Sequence, residues 1–96
     1  MDIKKLERPE FEDDIDTSID IGLQSKVILF NDDWHSFEEV ITQLIKALGC
    51  TFEQARDFTF EVHVKGKSIV FNGTMPRCLK VSSVLEEISL MTQIVT

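Results

Sequence analysis

No stretch of this chain approaches the ~18 consecutive apolar residues that a membrane-spanning helix needs. Its N-terminus also lacks the basic-then-apolar order of a signal peptide. Cysteine is scarce: Cys50 and Cys78 are the only two, too few for a disulfide framework and without metal-ligand spacing. Both read as buried free thiols, which suits a reducing, cytoplasmic setting. Basic residues are in the minority, with 10 Lys and Arg against 17 Asp and Glu and a formal net charge of −7. That balance argues against nucleic acid or an anionic membrane as the partner. Internal repeats and low-complexity segments are missing too.

What is present fits one small domain. With 96 residues and 43% hydrophobic content, the chain should bury roughly 60–65% of its unfolded surface. Its charge is uneven: residues 1–25 hold 8 acidic and 3 basic side chains, net −5, which leaves −2 for the other 71. Residues 1–24 therefore read as a flexible acidic N-terminal arm. Ile3, Leu6, Phe11, Ile15, Ile19 and Ile21 are scattered through it without helical or strand periodicity. Such an arm is either a solvated leader or a linear segment that docks elsewhere through a few apolar anchors.

From Lys26 the patterning is definite. Lys26–Phe30 reads as a strand whose unbroken apolar run suggests a central position or burial on both faces. Ser36 and Glu39 form a capping box, and Phe37, Val40, Ile41, Leu44, Ile45 and Leu48 make one helical stripe that Gly49 ends. Thr51 and Gln54 repeat the box for a second helix, with Phe52, Ala55, Phe58 and Val62 as its stripe and Lys65-Gly66 as its close. Lys67–Asn72 is a second strand. Thr74 and Pro76 open a third helix with Val81, Val84, Leu85 and Ile88 inward, and Leu90–Val95 is a closing strand. The order β-α-α-β-α-β predicts an α/β (α+β) two-layer sandwich, a three-stranded sheet covered by three helices on one face. Connections of this length also allow a parallel strand pair.

Asn31-Asp32-Asp33 follows the first strand directly. Asn and Asp commonly serve turns by bonding their own backbone, so a functional reading needs a second element converging on the same place. His63, near the end of the second helix between Val62 and Val64, is the candidate, although a lone histidine there is more often a packed core residue. An acidic corner and an imidazole suit a cation. An ammonium group fits better than a metal, because His35 is the only other histidine and the ligand set is thin. No nucleophile pairs with His63 in a recognisable motif.

Asn31-Asp32-Asp33, the aromatic Trp34, Phe37-Glu38, Val40, then Val62-His63 and Gly66-Lys67 at this spacing resemble the ClpS family, adaptors of bacterial Clp proteases. The likeness covers residues 26–96, so residues 25–96 are taken as a ClpS-like core domain. It implies a fold similar to the C-terminal domain of the ribosomal stalk protein L7/L12. It also implies a non-catalytic, monomeric adaptor without cofactor or metal. Such an adaptor holds the first residue of N-degron substrates, usually Leu, Phe, Tyr or Trp, and passes them to a Clp-family AAA+ unfoldase, ClpA- or ClpC-like. By position, Asn31, Asp33 and His63 would contact the substrate α-amino group, with Asp32 beside them. Phe37, Val40 and Val62 would line the side-chain pocket, with His35 and Thr59 on its rim.

The chain departs from the family pattern in places. Trp34-His35-Ser36-Phe37 stands where many members have Tyr-Thr-Pro-Met, and Thr59 stands where a methionine is common. The family's C-terminal pocket residue has no clear counterpart. Two rival classes are a metal-dependent enzyme using Asp32, Asp33 and His63, and a stalk-like interaction module that uses another face of the same fold.

Overall fold

The computed structural model describes residues 24–96; apart from Gln24, the arm expected over residues 1–24 lies outside them. Strand β1 (Ser25–Phe30) leads to helices α1 (Phe37–Leu48) and α2 (Phe52–Lys65), then β2 (Lys67–Gly73), α3 (Met75–Glu86) and β3 (Thr92–Val95). The sheet order is β2-β1-β3. The central position expected for β1 is therefore found, but burial on both faces is not. Ser25, Val27 and Leu29 are buried while Lys26, Ile28 and Phe30 are half-buried, the alternation of a sheet with one covered face.

Both hydrogen-bonded strand pairs are antiparallel, so the sheet has no parallel ladder. The reason lies in the connections. The pair α1–α2 runs out and back, and returns the chain to the end of β1 that it left. The single helix α3 does carry the chain from β2 to a strand of like direction, but β1 lies between the two.

Helix ends are chemically specified. Glu39 N–H donates to Ser36 Oγ (3.1 Å) and Ser36 N–H to Glu39 Oε1 (2.8 Å). Gln54 N–H donates to Thr51 Oγ1 (3.1 Å) and Thr51 N–H to Gln54 Oε1 (3.0 Å). Gly66 ends α2 in the left-handed region at φ +89, where a side chain would be strained. Thr74 has cap geometry for α3, but its side chain makes no cap hydrogen bond.

The core joins Val27, Leu29 and Val70 of the sheet to Ile41 and Leu44, Ala55 and Val62, and Cys78, Val81 and Leu85 of the three helices. The α2 stripe differs from expectation. Ala55, Thr59 and Val62 are its buried residues, whereas Phe58 is half-buried and Phe52 is 58% exposed. Thr59 is tolerated inside because its hydroxyl donates to the Ala55 carbonyl at 2.8 Å, leaving no unpaired polar hydrogen. Of the two free thiols, Cys78 is buried as expected and Cys50 only half-buried.

The caps carry a measurable contrast. Thr51→Ala should cost about 1 kcal/mol of folding free energy, while Thr74→Ala should stay within about 0.5 kcal/mol, as for a surface change without a partner. Urea denaturation of both variants checks this. Equal losses would mean that the Thr51 hydroxyl is not acting as a cap.

Candidate functional site

The C-terminal end of β1 is held from both sides. Phe30 N–H donates to the Met91 carbonyl at 3.0 Å, and Asn31 N–H donates to the Gly66 carbonyl at 2.9 Å. Gly66 N–H in turn donates to Val62 O at 2.8 Å, so the residue after β1 is fastened to the last turn of α2. His63 belongs to that turn.

Beyond Asn31 the chain makes a tight loop around Asp32. One Asp32 oxygen accepts from Trp34 N–H (3.1 Å) and His35 N–H (2.9 Å); the other lies 2.6 Å from His35 Nδ1. The opposite ring nitrogen, Nε2, meets the Ile88 carbonyl at 2.5 Å. Burial works against ionisation of Asp32, but the donors from His35 and Trp34 outweigh it and hold the carboxyl below its ordinary range. The same contact with Asp32 raises His35 above the ordinary imidazole value against its own desolvation, helped by the Ile88 carbonyl and the charge of Glu39. Asp33, by contrast, is exposed and accepts no hydrogen bond from the described residues. The capping box at Ser36 closes the loop.

Behind this loop lies a cavity of about 290 Å³. Its lining includes Asn31, Asp32, Asp33 and His63, and also His35, Phe37, Val40, Thr59 and Val62, so all nine sequence-predicted positions meet there. Asn31, Asp33, His63 and Phe37 are exposed and form the mouth. Thr59 and Val62 are only 3% and 4% exposed and form the depth. The rim placement expected for His35 and Thr59 is therefore corrected. Thr59 belongs to a packed helix face, and the His35 side chain is 10% exposed because it is tied down at both nitrogens. Nor is His63 a packed core residue.

Four further lining residues, Leu29, Phe30, Ser36 and Leu90, were not anticipated. Adjacency to Asn31 could have suggested Leu29 and Phe30. Nothing local marks Leu90, whose contact depends on how α3 returns to the sheet. It gives the cavity an apolar residue from the C-terminal part of the chain, where none was evident from the sequence.

The Phe37 ring stands edge-on to His63, with centroids 5.3 Å apart and planes at 71°. This arrangement suits the charge distribution of aromatic rings. Phe37 also borders a shallow apolar groove over Phe60 and Val64 on the outer face of α2, so it divides the cavity from that groove.

A small one-sheet α/β domain with a side-chain-sized apolar cavity under a rim of hydrogen-bond acceptors has the form of a binding module. Comparison with known proteins makes the class specific. The family model described as "ATP-dependent Clp protease adaptor protein ClpS" matches residues 23–92. A 49-residue stretch, 50% of this chain, is 43% identical to an ATP-dependent Clp protease adapter protein ClpS of Nostoc and spans 50% of that protein. A 58-residue stretch, 60% of the chain, is 38% identical to the human E3 ubiquitin-protein ligase UBR2 and covers only 3% of it. The solved structure of Agrobacterium tumefaciens ClpS2 bound to L-phenylalaninamide superposes with a TM-score of 0.70. It covers 74% of this chain and 93% of that one at 19% identity, and so shares the fold. The chain belongs to the ClpS family.

The two aspartates should separate in a stability measurement. Asp32→Ala removes a carboxylate that serves three donors and should cost about 1–3 kcal/mol. Asp33→Ala should change stability by less than about 0.5 kcal/mol. Urea titration at neutral pH distinguishes them, and a comparable loss at Asp33 would give it a structural role.

Proposed function

We propose that this chain is an adaptor that recognises the N-terminal residue of N-degron substrates, by α-amino group and large hydrophobic side chain together, and delivers them to an AAA+ Clp unfoldase. The observation that carries this reading is the pairing of an acceptor-rich mouth with an apolar depth. A protein N-terminus offers three N–H donors and a positive charge. Asn31 offers a carbonyl oxygen, Asp33 a carboxylate with no competing partner among the described residues, and His63, when neutral, a ring nitrogen. Hydrogen bonds to a charged donor are roughly twice as strong as neutral ones.

Below them the cavity of about 290 Å³ lies at the foot of the range of about 300–1,000 Å³ usual for small-molecule sites. It suits one side chain better than a cofactor. Burying a large apolar side chain there contributes about 1.5–3 kcal/mol. L-Phenylalaninamide, the ligand named for the Agrobacterium relative, consists of little more than these two features, an α-amino group and an apolar side chain.

Within this reading Asp32 and His35 shape the loop, while Asn31, Asp33 and His63 hold the ammonium. Phe37, Val40, Thr59 and Val62 surround the first side chain. The adaptor acts as a non-catalytic monomer in the cytoplasm, without cofactor or metal, and its partner is a ClpA- or ClpC-like unfoldase. Among the described residues no helix is long and apolar enough to cross a membrane. Residues 1–24, acidic and set with single apolar anchors, are assigned to engagement of the unfoldase.

Two experiments test the halves of this proposal. Asp33→Ala and His63→Ala should each weaken binding of a Leu- or Phe-starting peptide by about 2–5 kcal/mol, measured by calorimetry with circular dichroism as the folding check. Undiminished affinity in both would remove the site assignment. Deleting residues 1–22 should leave peptide affinity nearly intact and abolish degradation of an N-degron reporter by the reconstituted protease. Normal delivery by the shortened adaptor would return the arm to a passive leader.

A further inference from the structure

His35 stands where two segments meet, its own loop and the turn after α3. It belongs to the loop after β1, its Nδ1 faces Asp32 Oδ2 at 2.6 Å, and its Nε2 faces the carbonyl of Ile88, 53 positions along the chain, at 2.5 Å. Both neighbours are acceptors with no hydrogen to give. A neutral imidazole carries one N–H and would leave the other nitrogen's lone pair against an oxygen lone pair. Only the imidazolium satisfies both contacts. With the two side chains 10% and 11% exposed, water has little room to substitute.

The turn that receives Nε2 needs an anchor. Ser89, next to Ile88, lies at φ +65, a left-handed conformation disfavoured for any residue with a Cβ. Leu90 follows it, 4% exposed, and lines the cavity. Met91 is then caught by the sheet through its carbonyl and Phe30 N–H. The sheet thus holds this segment on one side, and His35 holds it on the other.

We propose that His35, donating from both ring nitrogens, is a positioning residue of the pocket. It ties the loop bearing Asn31 and Asp33 to the Ile88–Leu90 turn and so fixes the Leu90 wall against the acceptor rim. Only the consequence for peptide affinity rests on the binding function proposed above. The charged groups facing the ring are Asp32 of its own loop and Glu39 of α1, and the α3–β3 turn presents the Ile88 carbonyl. All three favour the imidazolium. Because the folded-state value of His35 is raised, the tie is complete below the ordinary histidine value of about 6.5. It is lost as pH rises through the higher folded value. On the acid side it persists until pH falls through the depressed value of Asp32.

The test is an NMR titration of the intact chain, in which His35 and His63 are the only imidazoles. At the start both His35 nitrogens should carry protons, and the Leu90 methyl signals should shift along the His35 titration, above the ordinary histidine range. Asp32→Asn should lower that titration. Below the ordinary histidine value of about 6.5, where the tie is complete, the wild type should bind a Phe-starting peptide about tenfold tighter than His35→Thr. The ratio should fall toward one as pH rises, which separates the effect from loss of the peptide's own ammonium charge. A His35 that titrates as an ordinary histidine, or Leu90 methyls that ignore it, would overturn the tie whether or not peptide binds. If the methyls follow His35 but no peptide with a free N-terminus is preferred over its acetylated twin, the tie stands and the binding reading fails.

Discussion

One backbone hydrogen bond, from Asn31 N–H to the Gly66 carbonyl, sets the layout of the whole site. It joins the first residue after the central strand to the glycine that ends α2, and so brings an acceptor loop and a helix-borne histidine to one mouth. Such a bond needs Gly66 in its left-handed conformation, so that α2 stops and β2 starts alongside β1 without an intervening loop. The antiparallel β1–β2 ladder then extends the same contact down the sheet. Helix hairpin, strand pairing and site geometry thus follow from where α2 is stopped.

The cavity walls are also core walls. Leu29, Val62 and Leu90 belong to the buried cluster and line the pocket, and Thr59 is buried beside them. Apolar surface that could have been packed solid instead faces a space large enough for a side chain. Under the proposed function, the side chain of a ligand would make dispersion contacts with these same walls. On that reading affinity and stability would share atoms here, so that substitutions in the depth of the pocket would affect both. Substitutions at the exposed mouth would then act on recognition alone.

Two adjacent aspartates have unlike environments although they are chemically identical. Asp32 is turned inward, where three donors outweigh the cost of burial, and it organises the loop. Asp33 is turned outward with its carboxylate uncommitted among the described residues. This separation matters electrostatically, since an acceptor already saturated by its own protein has little left to offer a cation. His35 and His63 divide in a parallel way: one ring is engaged at both nitrogens, while the other is exposed and steadied by the edge of Phe37.

Much of this was legible in the chain itself. Local rules placed the starts of α1 and α2, because Ser36 with Glu39 and Thr51 with Gln54 complete their bonds within four residues, and Pro76 in the first turn marked that of α3. Glycines at 49 and 66 marked the stops for a reason equally local, the freedom to take positive φ. The nine expected site residues meet at one cavity, since motif spacing carries the β-α-α-β connection with it. Three things were decided only by the tertiary structure. The direction of strand pairing depends on the helix hairpin returning to the end it left. The burial of Thr59 in preference to Phe52 depends on which turn of α2 lies against the sheet. The roles of His35 and Leu90 depend on a contact 53 residues long. Short-range chemistry is written in neighbouring residues, whereas the partner of a buried polar group is chosen by whatever the finished fold brings within 3 Å of it.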